Sequence, residues 1–268
     1  MSRNFIDAHM HLQDSRFLSA DAQKQVMTRA SLSKVTALAC NATNEDDWQE
    51  VLTLAAKHSV IKPFLGVHPW FAHLVKPGWL NRLDKLLDTS GAGVGEIGID
   101  SFGEAADIVQ EKVFVKQLKL ACNKKIPTTI HCIRRWGKLL EILKSHAPFK
   151  QKIMVHSFSG SIETMQRLVE FGVLISFSCQ LACPTRMKLR KVFLKTPIQN
   201  ILLETDAPDQ FCRQLFSASK NANSLSEPAH VARLYKFAAN LRNIDLNDFT
   251  KDIWNNGKIF TNRTADRS

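Results

Sequence analysis

The order of elements along the chain constrains its fold more than any other feature. A short, apolar, β-rich segment is followed by a polar loop and a longer helical stretch, and this unit recurs along the chain. Strands that alternate with helices pair in parallel through right-handed crossovers. The eight predicted strands are residues 4–8, 35–40, 61–67, 93–99, 128–131, 152–155, 173–177 and 200–203.

Polar residues at the strand ends favour a closed barrel over an open doubly wound sheet. An open sheet gathers its chemistry at one switch point, whereas a barrel gathers it at the carboxyl ends of many strands. Histidines or acids end the first, third, fourth, fifth, sixth and eighth predicted strands. The length of 268 residues also suits one barrel. We therefore predict an α/β fold, a single-domain (β/α)8 TIM barrel over residues 1–268 with extra C-terminal helices.

Helical periodicity fills the intervals between the strands. Residues 45–58 have an amphipathic pattern that Asn44 can cap, and Asp107–Lys124 has the same kind of pattern. A polar loop rich in asparagine and serine begins at Asp209. Two helices are predicted after that loop, with Pro228 in a first turn.

The composition is that of an ordinary globular protein with a basic surface. The apolar fraction is 44% and the charged fraction 23%, both near globular averages. The net charge of +11 attracts polyanions such as nucleic acid, although lysines that merely solvate the outer helices give the same charge. The six cysteines have no metal-binding spacing, so we expect reduced thiols. A strand pattern from residue 5 and the lack of a long apolar run predict a cytoplasmic protein with no membrane segment.

Several strand ends supply side chains of the kind that bind metals. His9 and His11 project to the same side of the first strand because side chains alternate with period two. Glycines surround Glu96, so the backbone can approach its neighbours closely while the carboxylate emerges at the strand end. His131 and His156 each follow a β-branched or apolar run. Their matching positions favour ligands over isolated core histidines.

Two further acids, Glu204 and Asp206, end the eighth strand on one side of an extended chain. Buried carboxylates without partners are costly, and cations give them a function. The converging histidines and acids suffice for two divalent ions, with zinc, manganese, iron and magnesium all compatible with nitrogen and oxygen donors. We predict hydrolysis by a water whose pKa the ions lower and whose proton a nearby acid takes.

Other catalytic patterns are weaker. Gly93, Gly95 and Gly98 match G-x-G-x-x-G, but the strand pattern continues through them where a dinucleotide-binding helix should begin. The chain has no G-x-S-x-G elbow and no cysteine in a catalytic signature. A metal-dependent hydrolase is therefore the leading hypothesis.

Six motifs resemble, in order and spacing, the TatD-type metal-dependent deoxyribonucleases of the amidohydrolase superfamily over nearly the full chain. They are D-A-H-M-H at 7–11, G-V-H-P at 66–69, G-E-I-G-I-D at 95–100, I-H-C at 130–132, V-H-S-F-S-G at 155–160 and L-E-T-D-A-P at 203–208. The resemblance implies a barrel fold and divalent-cation-dependent cleavage of DNA. It also implies one ion among His9, His11, Glu96 and Asp206 and a second among Glu96, His131 and His156.

The resemblance further implies roles for three catalytic residues. Asp206 is the implied activator of water, and Glu204 assists as an acid or base or near an additional ion. His68 resembles the family histidine that reaches the substrate phosphate; the alternative is a turn residue held before Pro69.

The chain departs from the family pattern at predicted anion contacts. Val109 stands before Gln110 where family members often have arginine. The usual H-S-R after the fifth strand is H-C-I, followed by Arg134 and Arg135, so an arginine serves there only with a shift. These changes leave the metal ligands untouched, which makes hydrolysis a firmer prediction than its substrate.

DNA is the predicted substrate, and no protein partner is implied. Trp70, Phe71 and Trp79 are candidates for base stacking, although such aromatic residues are more often core. One basic segment is either a phosphate-facing helix or a solvated one, and its charged members are Arg186, Lys188, Arg190, Lys191 and Lys195.

Two other functions stay open on the sequence. The same metals can attack the ester of a mischarged tRNA, as an aminoacyl-tRNA deacylase, or an amide. A non-catalytic barrel can also retain its metals as a binding module, but degenerate enzymes typically lose a ligand and none is missing here.

Overall fold

Eight parallel strands form one sheet in which consecutive strands are hydrogen-bonded neighbours. The structure is a computed structural model that describes residues 4–17, 19–215 and 225–261. The predicted (β/α)8 TIM barrel is confirmed. Its strands are β1 (Phe5–Met10), β2 (Val35–Asn41), β3 (Ile61–Leu65), β4 (Gly93–Asp100), β5 (Thr128–Ile133), β6 (Ile153–Val155), β7 (Leu174–Phe177) and β8 (Ile201–Leu203).

A helix follows each strand, and one further helix ends the described chain. The helices are α1 (Ala20–Leu32), α2 (Trp48–Lys57), α3 (Trp79–Ser90), α4 (Asp107–Lys124), α5 (Trp136–Lys144), α6 (Ile162–Glu170), α7 (Met187–Lys195), α8 (Val231–Arg242) and α9 (Leu246–Thr261). The prediction for α4 is confirmed residue for residue. No helix among the described residues combines the length and the apolar character needed to cross a membrane.

The barrel closes between β1 and the segment that follows β8. The Asp206 amide donates to the His9 carbonyl at 3.0 Å, and the His11 amide donates to the Ala207 carbonyl at 2.7 Å. Met10 and Ala207 form an isolated parallel bridge at the same place. Closure therefore holds the end of the first strand beside the residues after the last.

A layer of apolar side chains lies beneath the strand ends. Met154 and Leu202 stand two residues before His156 and Glu204, and the period-two alternation gives them the same face of the sheet. The C-terminal helix also contributes to this layer, because Phe260 stacks on the ring of Phe64 with centroids 5.3 Å apart. The buried members are Ala8, Ala39, Phe64, Met154, Leu174, Leu202 and Phe260.

Strand boundaries differ from the sequence prediction by a few residues. β1 runs two residues beyond the predicted end and includes His9. β3 ends at Leu65 rather than at residue 67, because the Gln117 side chain occupies both backbone groups of Val67. It accepts from the Val67 amide at 2.7 Å and donates to the Val67 carbonyl at 3.1 Å. The buried amide thus replaces a partner strand at the mouth of the barrel.

The predicted start of α2 is wrong by three residues. Asn44 does not cap this helix; its side chain accepts from the Asp46 amide in the turn that precedes it. The Asp47 carboxylate accepts a hydrogen bond from the Thr43 amide at 2.8 Å. This bond holds the turn that precedes the first helical residue, Trp48.

The C-terminal segment follows the prediction where it is described. Residues 216–224 of the predicted polar loop lie outside the described residues. Pro228–His230 forms a short 3-10 turn that leads directly into α8. The six cysteines are free, and Cys40, Cys132, Cys179 and Cys212 are buried.

Glycine at position 98 permits the close contact between β4 and β5. Its φ of +152° is one that other residues rarely adopt, and a Cβ added there would lie 1.9 Å from the His131 carbonyl oxygen. The close approach predicted around Glu96 is therefore present, and it sets the position of the histidine on the neighbouring strand.

We expect Gly98→Ala to destabilise the protein by about 3 kcal/mol, because the added methyl group overlaps a backbone oxygen and the backbone angle is strained. Urea unfolding followed by circular dichroism measures the change. The matched control is Gly137→Ala in α5, where an added Cβ meets nothing within 4 Å. That variant should gain up to about 1 kcal/mol. Equal stabilities for the two variants would contradict the packing described here.

Candidate metal centre

The carboxylate of Glu96 lies at the centre of the predicted ligand set, at the carboxyl end of the barrel. Its Oε1 is 2.8 Å from His156 Nε2 and 2.9 Å from His131 Nδ1. Its Oε2 is 3.2 Å from His9 Nε2 and 3.4 Å from His11 Nε2. The two oxygens thus face two separate pairs of imidazoles. All six predicted ligands are brought together, since Asp206 lies beside His9 and His11.

The first group of donors consists of His9, His11 and Asp206. The two imidazole Nε2 atoms are 3.1 Å apart. Asp206 Oδ1 lies 3.5 Å from His9 Nε2 and 3.7 Å from His11 Nε2. The His11 Nδ1 is 2.8 Å from the carbonyl oxygen of Asn41. With its Nδ1 proton donated to that oxygen, His11 presents the Nε2 lone pair to the centre of the group.

The second group pairs His131 with His156. His131 Nδ1 and His156 Nε2 are 2.9 Å apart. The other nitrogen of His131, Nε2, is 2.8 Å from Asp100 Oδ2. A carboxylate that accepts this proton fixes the tautomer and directs the Nδ1 lone pair toward Glu96, as outer carboxylates commonly do behind metal-binding histidines.

His68 is also part of the cluster, and its contacts define its protonation. Its Nδ1 accepts from the Trp70 amide at 3.2 Å, and burial lowers its pKa to about 3. The ring is therefore neutral, with its proton on Nε2, which lies 3.4 Å from Glu96 Oε1. A neutral ring of this tautomer offers a hydrogen-bond donor to an anionic oxygen. The same side chain caps the 3-10 turn Pro69–Leu74, so the turn role is present as well.

Glu204 lies behind His156 rather than among the converging donors. It is fully buried, and Oε1 accepts from the Ser157 amide at 2.6 Å. The same oxygen is 3.5 Å from His156 Nδ1, the nitrogen that points away from Glu96. Its position suits the orientation of the imidazole.

Burial and charge act in opposite directions on the ionisation of the site. Burial by itself raises the pKa of the Glu96 carboxyl, but the surrounding imidazoles, His156 first among them, outweigh it and hold that pKa well below its ordinary range. Burial lowers the pKa of the His156 imidazole, yet Glu96 and Glu204 outweigh it and the pKa lies well above its ordinary value. An ionised, buried carboxylate requires positive charge next to it.

The donor set fits divalent cations. The facing donors are imidazole nitrogens and carboxylate oxygens, which suit zinc, manganese, iron and magnesium. Sets of three side chains with donor atoms within 4.8 Å of one another include His9, His11 and Asp206 around one point and His9, Glu96 and His156 around another. Two imidazole nitrogens as close as those of His9 and His11 share either a proton or a cation. The site therefore has donors and charge for metal binding.

Sequence reasoning missed two residues that orient the site. Asp100 holds His131, and the period-two alternation from Glu96 along β4 contains the signal that could have found it. Gln210 donates from Nε2 to Asp206 Oδ2 and to Ser157 Oγ, the latter at 2.6 Å. It lies in a loop with no periodicity, so no sequence signal indicated it.

The structure shows which of the aromatic and basic candidates for nucleic-acid contact are exposed and which are held in the protein. Trp79 is 7% exposed and belongs to the core, Phe71 packs partly against the core, and Trp70 is 48% exposed. In the basic segment, Arg190 donates to the carbonyls of Leu181 and Ala182, so its guanidinium holds a loop. The other basic side chains of that segment remain exposed.

Comparison with known proteins supports the resemblance seen in the motifs. The model of the family described as TatD related DNase matches residues 6–261. An uncharacterized metal-dependent hydrolase, YjjV of Escherichia coli K12, is 31% identical over 94% of this chain and 95% of its own length. The 3'-5' ssDNA/RNA exonuclease TatD of the same organism is 27% identical over 89% of this chain and 92% of its own. The crystal structure of YjjV superposes with a TM-score of 0.86 at 29% identity, covering 96% of this chain and 97% of that one.

We expect divalent ions to raise the melting temperature of chelator-treated protein. A ligand that binds only the folded state at 100 times its Kd stabilises by about 2.7 kcal/mol, which corresponds to about 5–10 °C for a chain of this size. Differential scanning calorimetry with Zn²⁺, Mn²⁺ or Mg²⁺ measures the shift. Glu96→Gln should lose most of it, because the central charge is removed. An unchanged melting temperature with every ion would exclude a metal centre.

Proposed function

The chain belongs to the TatD-related DNase family of metal-dependent hydrolases that act on ester bonds, and on this premise we propose that it cleaves the phosphodiester bonds of nucleic acid, DNA in particular, with two divalent ions. One observation carries the proposal. The two oxygens of Glu96 face two separate groups of donors, at 2.8–2.9 Å on one side and 3.2–3.4 Å on the other. A carboxylate with donors at both oxygens suits a bridge between two ions.

In this proposal each ion has its own protein ligands beside the shared Glu96. His9, His11 and Asp206 would hold one, and His131 and His156 would hold the other. Mg²⁺, Mn²⁺ and Zn²⁺ all fit nitrogen and oxygen donors. When bound, such ions lower the pKa of a water and neutralise charge on the attacked phosphoryl group.

Asp206 is the proposed acceptor of the water proton. Its Oδ1 faces the donor cluster, whereas Oδ2 is held by Gln210, so the carboxylate has a fixed orientation. A carboxylate already held in place accepts a proton without reorganisation, which is what a general base requires. His68 Nε2–H donates to a phosphate oxygen in the same scheme, since its neutral ring keeps that proton.

Glu204 supports His156 in the proposed mechanism. Its contacts with the Ser157 amide and with His156 Nδ1 place it on the far side of the imidazole from Glu96. This geometry favours orientation of a ligand over proton transfer at the phosphate.

The substrate assignment rests on charge and on the relatives. A net charge of +11 favours a polyanion over a small neutral ester. TatD of Escherichia coli K12 is named an exonuclease for single-stranded DNA and RNA, so both polymers belong in the test. The cytoplasmic location and the single-domain organisation stay predictions.

The test is a cleavage assay on metal-loaded protein. Chelator-treated chain is reloaded with Mg²⁺, Mn²⁺ or Zn²⁺, its metal content is measured by mass spectrometry, and it is offered single-stranded DNA, duplex DNA, RNA and aminoacyl-tRNA. We expect two ions per chain and cleavage of DNA with at least one metal. Asp206→Asn should abolish turnover while circular dichroism remains unchanged.

The arms of this assay separate the alternatives. Release of amino acid from tRNA without cleavage of any polymer would identify an esterase in place of a nuclease. Metal binding with no turnover on any substrate would identify the non-catalytic barrel. Full activity of Asp206→Asn would remove that residue from the mechanism.

Gln210→Leu is expected to lower kcat by about 10- to 100-fold with little change in KM, because it frees the proposed base without touching substrate. Steady-state kinetics on a DNA oligonucleotide measures both constants. Gln180→Leu is the matched control, since the Gln180 side chain donates to the backbone carbonyl of Gln210, at 3.5 Å, and not to Asp206. A kcat equal to that of wild type would show that Asp206 needs no such support.

A further inference from the structure

Two large aromatic side chains remain exposed beside the metal centre. Trp70 is 48% exposed and Phe102 is 61% exposed. Trp70 follows β3 and Phe102 follows β4, so both lie on loops at the carboxyl end of the barrel. Exposed aromatic residues scattered singly are normal on protein surfaces, but these two are fixed to one common group.

That group is the carboxylate of Asp100. Its Oδ2 accepts from the Trp70 indole at 2.9 Å, and its Oδ1 accepts from the Phe102 amide at 2.7 Å. The same Oδ2 lies 2.8 Å from Nε2 of His131. One buried carboxylate therefore positions both aromatic residues relative to a proposed metal ligand.

The loop that carries Phe102 is held in turn by Gln110. Its side chain accepts from the Asp100 amide at 2.8 Å and donates to the carbonyls of Asp100 and Ala105, at 3.0 and 2.8 Å. Gly103 packs so closely that an added Cβ would lie 2.9 Å from the indole ring of Trp70. The Trp70 ring and the backbone that carries Phe102 are thus held in place before any ligand arrives.

Arg134 adds a positive charge to the same place. Its guanidinium carbon lies 4.7 Å from the centre of the Phe102 ring. No carboxylate of the described residues pairs with it, whereas the neighbouring Arg135 is bound by Asp107 and Glu111, at 2.9 and 2.6 Å. Arg134 has a left-handed backbone, with φ of 59°. This conformation of a non-glycine residue marks a position that the fold specifies.

We propose that Trp70, Phe102 and Arg134, here called the aromatic rim, bind one nucleotide of a nucleic acid strand next to the scissile phosphate. The rings stack on its base, and the guanidinium contacts a backbone phosphate. A ring that is already fixed, as the Trp70 indole is, loses little conformational freedom on binding. Stacking reads the flat face of a base and not its edges, so the rim accepts all four bases. This inference rests on the proposed function.

The test measures binding of a fluorescent oligothymidylate to the inactive Asp206→Asn protein, beside the same strand with abasic sites. Phe102→Leu and Trp70→Leu should each raise the Kd for the intact strand by about 5- to 100-fold, the range expected for loss of one stacked base. Their effect on the abasic strand should be small. Trp70→Phe should retain most of the affinity, because a ring remains.

Arg134→Ala should lower the slope of log Kd against log salt by about 0.7, as expected for loss of one phosphate contact on a single strand. The matched control for the Phe102 and Trp70 variants is Leu32→Ala. It removes another exposed apolar side chain, at the end of α1 on the opposite face of the barrel. It should bind both strands like the parent protein.

The outcomes distinguish the rim from the activity. Equal Kd values for intact and abasic strands on the unaltered rim would overturn the inference, as would an equal loss on both strands in Phe102→Leu. Wild-type protein that cleaves intact and abasic strands at the same rate keeps the nuclease and removes the rim. Wild-type protein that cleaves neither removes the proposed function itself.

Discussion

Closure of the barrel is the constraint on which the candidate metal centre depends. The backbone hydrogen bonds from Asp206 to His9 and from His11 to Ala207 join the two ends of the sheet. The residues that they join include His9, His11 and Asp206, so the bonds that complete the fold also bring this donor group together. Any loosening of β1 against the segment after β8 would separate Asp206 from both histidines. The fold and the site therefore have a common point of stability.

Once the strands are closed, a single buried charge organises the mouth of the barrel. Ionised Glu96 requires positive charge at both oxygens, and imidazoles from β1, β5 and the segment after β6 lie at hydrogen-bond or ion-pair distance from it. Outer partners then set the direction of two of the rings: a backbone carbonyl behind His11 and a carboxylate behind His131. These partners hold lone pairs inward, where a proton or a cation must meet them.

Asp100 extends this organisation from the ligands to the surface. The carboxylate that orients His131 also holds the Trp70 indole and the Phe102 amide. The proposed metal ligand His131 and the aromatic rim are thus connected through one shared residue, Asp100. Gln210 has the corresponding role on the other side of the site, where it ties Asp206 to the loop after β6. Asp100 ends β4 and Gln210 lies in a loop, so side chains from both kinds of segment place the loops around the site.

The sequence by itself determined the barrel and the convergence of the four histidines, because period-two alternation and strand-end position are local properties that the chain expresses directly. The family motifs added Glu96 and Asp206 to this set of predicted ligands. It also contained Asp100 on the face of Glu96, although no role was assigned to it. Only the tertiary structure decided which side chains hold the loops around the site. The Gln117 side chain ends β3 early, the Asp47 carboxylate delays α2, and Gln210 reaches Asp206. The Gln117 contact joins α4 to the segment after β3, whereas Asp47 and Gln210 each bond a residue four positions earlier in a loop. All three are side-chain hydrogen bonds whose partners are fixed by the folded arrangement and not by any repeat in the sequence.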